Sequence, residues 1–240
     1  MSRLRPSGSG EPWPDPEGLG AQGSLALLRL LQLFDSQFPV GAFAHSGGIE
    51  TYAALGGSLP ELREVLVAQI DLGWGRSELA GAFLAWDAAA HPTADADLSR
   101  LAELMDALKV VPSIRQTSIG LGRRTRDLLA RIYPEAVIDV TPPHHAVVIG
   151  AAGRRLGVGS RELLLAYGHS LAAGTLAAAL RCMPVSPAQT QRLLVELHDR
   201  LIRAVDRATS DPEGCLFTAT PALDIRSHQQ QQLHTRLFQS

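Results

Sequence analysis

Four residues in one short stretch could do chemistry. Asp35, His45, Ser46 and Glu50 supply two carboxylates, an imidazole and a hydroxyl. Those types can act as nucleophile, general base and orienting acid. They also suit a quieter task, because Asp and Ser side chains cap helix ends and turns. The four surround Pro39-Val40-Gly41, where an apolar helical run breaks. Pro fixes φ and Gly reaches conformations closed to other residues, so a tight corner between two helices is expected there. A triad is defined by geometry, and closeness in a turn is weak evidence for one. Residue types leave a capped corner and a recognition or catalytic corner both open.

Other candidates are sparser. His144 and His145 are adjacent, and adjacent positions on a helix point two ways, which makes a poor chelate. His228 and His234 lie near the C-terminus. Cys182 and Cys215 have no metal-type spacing, which fits a reduced compartment. Arg115, Arg123, Arg124, Arg126 and Arg131 share one expected helix, as a solvated basic face or a docking face for an acidic partner. There is no Gly-x-x-x-x-Gly-Lys-Ser/Thr loop, no His-Glu-x-x-His and no Cys-x-x-Cys. Residues 150–159 hold scattered glycines without a strand–turn–helix context. Chemistry by a standard catalytic set is not visible.

The elements that must position these groups read as helices. Apolar spacing predicts helices over 24–34, 46–55, 58–72, 73–90, 95–111, 112–133, 144–157, 160–182 and 186–205. Ser24 is a candidate N-cap of the first, and Ser58 with Glu61 reads as a capping box. Ser186 and Pro187 read as N-cap and N1 of another. The 160–182 helix is rich in Ala and Gly and suits a close-packed central position or a dimer seam. Residues 137–140 could form one short strand, which alone cannot make a sheet. Residues 211–221 read as a loop. The first 23 residues, rich in Gly, Pro, Ser and Glu, read as a disordered extension. Residues 227–240 read as a tail that frays or folds onto a partner, with Leu233, Leu237 and Phe238 as anchors.

Composition agrees with one compact all-α domain over 24–226. The 240 residues are 45% hydrophobic but only 5% aromatic, a balance that suits packed helices more than sheets. A net charge of −2 offers no basic excess for nucleic acid. Apolar runs look interrupted before the ~20 residues a membrane span needs. The N-terminus lacks the apolar region of a signal peptide, so a cytoplasmic location is expected.

Several strings together resemble the UreF family of urease accessory proteins. Leu30-Leu31-Gln32-Leu33, Pro39-Val40-Gly41 and Ser46-Gly47-Gly48-Ile49-Glu50 are similar to its N-terminal signature, with Phe34 and Ala44 where Ser is usual. Arg115-Gln116-Thr117-Ser118 and Gly122-Arg123-Arg124 resemble a central segment. Ser227, Arg236, Leu237 and Phe238 match its C-terminal signature, although Gln230-Gln231 stands where His-Glu is usual. Pro184-Val185-Ser186-Pro187 departs from the family's Pro-Leu-Gly-Gln, while Gln191 matches a later Gln.

The resemblance implies an all-α homodimer without enzymatic activity, metal or cofactor of its own. It implies a role in nickel insertion into apo-urease. There the family bridges the accessory protein UreD (also called UreH) and the nickel-carrying GTPase UreG, and modulates the GTPase cycle. An arginine acting in trans would be one mechanism for that control. Carried onto this chain, the implied partner-binding residues are Asp35, Pro39, Gly41, His45, Ser46, Glu50, Ser227, Arg236, Leu237 and Phe238 toward UreD. Arg115, Arg123 and Arg124 are candidates toward UreG. Nucleic acid and membrane are not implied partners. Two other readings stand beside this one: a small helical hydrolase using Asp35, His45 and Ser46, and a direct nickel carrier using His144, His145, His228 or His234.

Overall fold

A computed structural model describes residues 20–41, 46–91, 93–233 and 237–238. Its elements are α1 (Ala21–Leu33), α2 (Ile49–Ala54), α3 (Leu59–Leu72), α4 (Trp74–Ala88), α5 (Ala94–Leu108), α6 (Pro112–Ile132), α7 (His145–Arg155), α8 (Ser160–Cys182), α9 (Pro187–Glu196), α10 (His198–Ser210) and α11 (Pro221–Gln229). No strand occurs among the described residues, and 137–140 is extended backbone without a pairing partner.

α4 is the element around which the others pack. It touches α3, α5, α7, α8 and α10. Its Leu79, Ala80, Ala82 and Ala85 are buried, and so is α7 from Ala146 through Gly153. Small residues let these two helices approach closely. A Cβ at Gly150 would collide with the Ala82 carbonyl. Close packing of this kind leaves little room for any added methyl group.

α8 is therefore not the centre. One face carries Leu163, Leu164, Tyr167, Ala172, Leu176 and Ala179 into the core, and the opposite face is half open. Its apolar run is longer than expected. Residues 163–180 contain no Asp, Glu, Lys or Arg, and α8 is long and apolar enough to cross a membrane. Its inner face is instead taken up by α2, α4 and α10.

Local signals account for most boundaries. The Ser58–Glu61 capping box is present, with the Ser58 N–H donating to the Glu61 carboxylate at 2.9 Å. At Ser186 the Gln189 N–H donates to the hydroxyl at 3.2 Å, with Pro187 at N1. Several boundaries differ. α1 begins after Gly20, so Ser24 sits inside the helix and does not cap it. α2 begins only at Ile49, because Gly47 and Gly48 take positive φ of 58° and 94°. The helix expected over 186–205 is two helices separated at Leu197. Leu197 is buried, so the break falls at a packed position where propensity alone would continue the helix. Ser227 lies within the last turn of α11, which Pro221 starts at N1.

Candidate partner-docking site

The corner and the C-terminal segment, far apart in sequence, form one structure. Gln230 is their junction. Its side-chain carbonyl accepts from the Ser46 hydroxyl at 2.9 Å and from the Gly48 N–H at 3.2 Å. Its side-chain amide donates to Glu50 at 3.0 Å, and the other Glu50 oxygen accepts from the Leu237 N–H. Gln230 is only 2% exposed, and Ser46 and Glu50 are also buried. A polar group so enclosed is tolerated when its hydrogen bonds are made, and here both ends of the Gln amide are used.

Two further contacts tie α2 to α11. The Thr51 hydroxyl donates to the Arg226 carbonyl at 2.8 Å, and the Arg226 guanidinium lies 5.8 Å from the Tyr52 ring centre. Gly48 meets α11 directly. A Cβ there would stand 2.7 Å from the Ser227 hydroxyl, on a residue already at φ 94°. Beyond Gln230 the two described terminal residues diverge. Phe238 is 4% exposed and lies under the Arg181 guanidinium at 4.7 Å. Leu237 is 57% exposed.

The corner is held from its other side by α6. The Arg124 guanidinium donates to the Val40 carbonyl, and the chain turns at Gly41 with φ 73°. Pro39 precedes that turn in a run of turns after α1. The Asp35 carboxylate accepts from the Gln37 N–H at 2.6 Å, which is a local cap. Asp35 and Ser46 are thus each engaged with a different partner. His45 and Arg236 lie outside the described residues, as does His234.

The arginines of α6 do not form one free basic face. Arg124 serves the corner, Arg126 reaches Asp127 and Asp139 at 3.7 and 3.6 Å, and Arg115 pairs with Asp106 at 3.5 Å. Arg123 is exposed. Of the three arginines named from the sequence, Arg123 is exposed and makes no ion pair among the described residues, whereas Arg115 and Arg124 are engaged.

Beneath the corner lies a polar cluster that sequence reasoning missed. Lys109 forms an ion pair with Glu78, their side chains 6% and 12% exposed. Glu78 also accepts from the Tyr167 hydroxyl at 2.8 Å, and that hydroxyl lies 3.4 Å from His145 Nδ1. The neighbouring ring points elsewhere. His144 lies 3.1 Å from the Ser118 hydroxyl and 3.3 Å from Asp106. The two imidazoles are therefore held apart, as adjacent helical positions dictate. A cavity of about 220 Å³ separates this cluster from the corner, lined by Ser46, Glu78, Lys109, His145, Tyr167 and Thr220 among others.

Electrostatics follow from that enclosure. Burial pushes the Glu78 carboxyl up, but the Lys109 ammonium and two hydrogen bonds outweigh it and hold the carboxyl below its usual range. Burial drives His145 down to about 4, and lowers His144 as well. Burial, with Glu78 beside it, raises the Tyr167 hydroxyl. The cluster therefore holds one ion pair and neutral rings at pH 7, a set suited to fixing α4, α5, α7 and α8 against one another.

Known proteins match this chain over most of its length. The UreF family profile covers residues 60–198. A urease accessory protein UreF from Actinobacillus pleuropneumoniae serotype 3 is 30% identical over 225 residues, covering 88% of this chain and 97% of that protein. One from Haemophilus influenzae Rd is 29% identical over 225 residues, with 88% and 94% coverage. One from Nostoc sp. is 31% identical over 222 residues, with 89% and 95% coverage.

Proposed function

The chain belongs to the UreF family of urease accessory proteins, and from that membership we propose that it serves urease maturation as a non-catalytic helical adaptor. In this reading it acts in the cytoplasm as a homodimer while nickel enters apo-urease. It bridges UreD to the GTPase UreG and modulates the GTPase cycle. One observation carries the reading: the two signature segments at opposite ends of the chain meet through Glu50, Gln230 and Leu237. Ser46, Glu50 and Gln230 are spent on building that surface, and Leu237 stands out from it. A rigid patch with an exposed apolar residue suits protein docking.

The surface formed by the corner and the tail is assigned to UreD. Arg123, exposed on α6, is the candidate toward UreG. Asp35 and Ser46 have structural partners, which favours the adaptor over a hydrolase. His144 and His145 point apart, which favours it over a nickel carrier using that pair.

Co-purification of the full chain with its UreD counterpart tests the assignment. Wild type is expected to form a stable complex by size-exclusion with light scattering, and Leu237→Ala is expected to weaken it at least tenfold. An unchanged complex with Leu237→Ala would remove the tail from the docking surface. Absence of any complex with wild type would overturn the bridging role.

A further inference from the structure

A second pair of histidines lies away from the docking surface. His169 is on α8 and His198 is the first residue of α10. Their ring centres are 6.3 Å apart, with the planes at 42°. Both side chains are exposed, and neither has a hydrogen bond or ion pair among the described residues. Two imidazoles facing each other without partners are unusual where α8 and α10 otherwise pack closely. The Arg161–Asp206 ion pair, both side chains half exposed, joins the same two helices farther along.

We propose that His169 and His198 form a two-imidazole site for a borderline divalent transition-metal ion. Metal–nitrogen bonds of about 2.0–2.1 Å place the centres of two rings sharing one ion roughly 5–6 Å apart. The observed separation of 6.3 Å lies just beyond that range. Unlike His144 and His145, these residues come from different helices, so both rings can aim at one point. Imidazole suits zinc, copper and nickel, and does not suit magnesium or calcium. Two protein ligands leave coordination positions open to water or to a ligand from another molecule. The site stands on the half-open side of α8, beside Ala166 and Ala173. It does not depend on the docking assignment.

Isothermal titration of the full chain with zinc chloride at pH 7.5, in a buffer that does not chelate, tests the site. Wild type, His169→Ala, His198→Ala and the double variant are compared, with His91→Ala as a surface control. One zinc-binding event is expected to weaken at least tenfold in either single variant. The double variant should bind no more weakly than the weaker single, because one lost ligand already opens the chelate. His91→Ala should match wild type. Thermal melts without metal confirm that each variant is folded. His169→Gln and His198→Gln, which retain a polar side chain, serve if an alanine variant fails to fold. Zinc binding unchanged in either histidine variant, or losses that simply add in the double variant, would overturn the shared site.

Discussion

Glu50 and Gln230 are 180 positions apart in the chain and share a buried hydrogen bond of 3.0 Å. The bond fixes the start of α2 to the turn that follows α11. It also explains how a glutamine run can carry a buried contact. Gln230 is chosen from that run by the space beside Ser46 and Gly48, and its amide answers two donors and one carboxylate at once.

Replacing Gln230 by Glu should therefore be severe. The variant keeps the shape but faces Glu50 with a second buried acid and loses the amide donor. Leaving buried polar groups without partners costs about 1–3 kcal/mol, and more when a charge is involved. The expected outcome is a lower urea midpoint and faster proteolysis after residue 229. Gln230→Ala should fall between wild type and Gln230→Glu. Equal stability of Gln230→Glu and wild type would show that the junction does not hold the segment.

Gly48→Ala tests the same junction from the backbone side. The new Cβ is strained by φ 94° and meets Ser227 at 2.7 Å. Strain of this kind costs on the order of 1–3 kcal/mol. The double variant Gly48→Ala with Ser227→Gly relieves the collision but keeps the φ penalty, so it should recover part of the loss in a thermal melt.

The Glu78–Lys109 pair should behave as a coupled unit. Removing one partner from a buried ion pair costs about 3–5 kcal/mol because the other charge is left uncompensated. Lys109→Met and Glu78→Gln should each destabilise strongly. The double variant should be more stable than the sum of the singles predicts, and can approach wild type. Simple additivity in urea melts would show that the charges do not sense each other.

Acid should weaken the fold in two stages. His145 in the folded chain is near 4 against 6.5 when free, so the unfolded chain takes the proton first as pH falls between those values. Stability then drops with a slope of up to about 1.4 kcal/mol per pH unit for this group. His144, lowered in the same direction, adds to it. Glu78 is held below its ordinary value, so its contribution is present above that value and is lost at lower pH still, as the folded carboxyl protonates. Urea melts at pH 7, 6 and 5 should show the first stage in wild type and a shallower one in His145→Gln. Identical slopes would exclude His145 as its source.

Much of the fold was legible because its signals are local. Ser58 with Glu61, Ser186 with Pro187, and Pro112 each mark a helix start through groups within a few residues. The corner was legible for the same reason, since Pro39 and Gly41 restrict the backbone directly. The docking junction was half legible. Ser46, Glu50, Ser227 and Leu237-Phe238 stood out by their strings, but Gln230 stood out only as a departure from the usual His-Glu, because a glutamine within a glutamine run carries no mark of its burial. Glu78, Lys109 and Tyr167 were invisible because they come from separate elements, and each alone looks like an ordinary helical residue. The break at Leu197 carries no sequence signal because leucine and histidine do not break helices. Arg124 was grouped with a basic face because spacing reports the helix side, and the Val40 carbonyl it holds lies 84 positions earlier.

Leu237 and Phe238 should separate stability from docking. Phe238 is packed inside the domain under Arg181, so Phe238→Ala removes buried area and a cation–π contact. Burial of an aromatic ring of this size is worth about 3–5 kcal/mol on truncation in a full core, and less at a chain end that can fray. Phe238→Ala should loosen the C-terminal segment even without a partner, seen as earlier proteolysis and faster amide exchange around Gln230. Leu237 is exposed and contributes its backbone N–H to Glu50, which alanine retains. Leu237→Ala should leave the stability of the free chain within about 0.5 kcal/mol of wild type while weakening the complex with UreD, the behaviour of an interface residue. If both variants lower stability and binding together, Leu237 acts through the fold, and the docking contact lies on the corner instead.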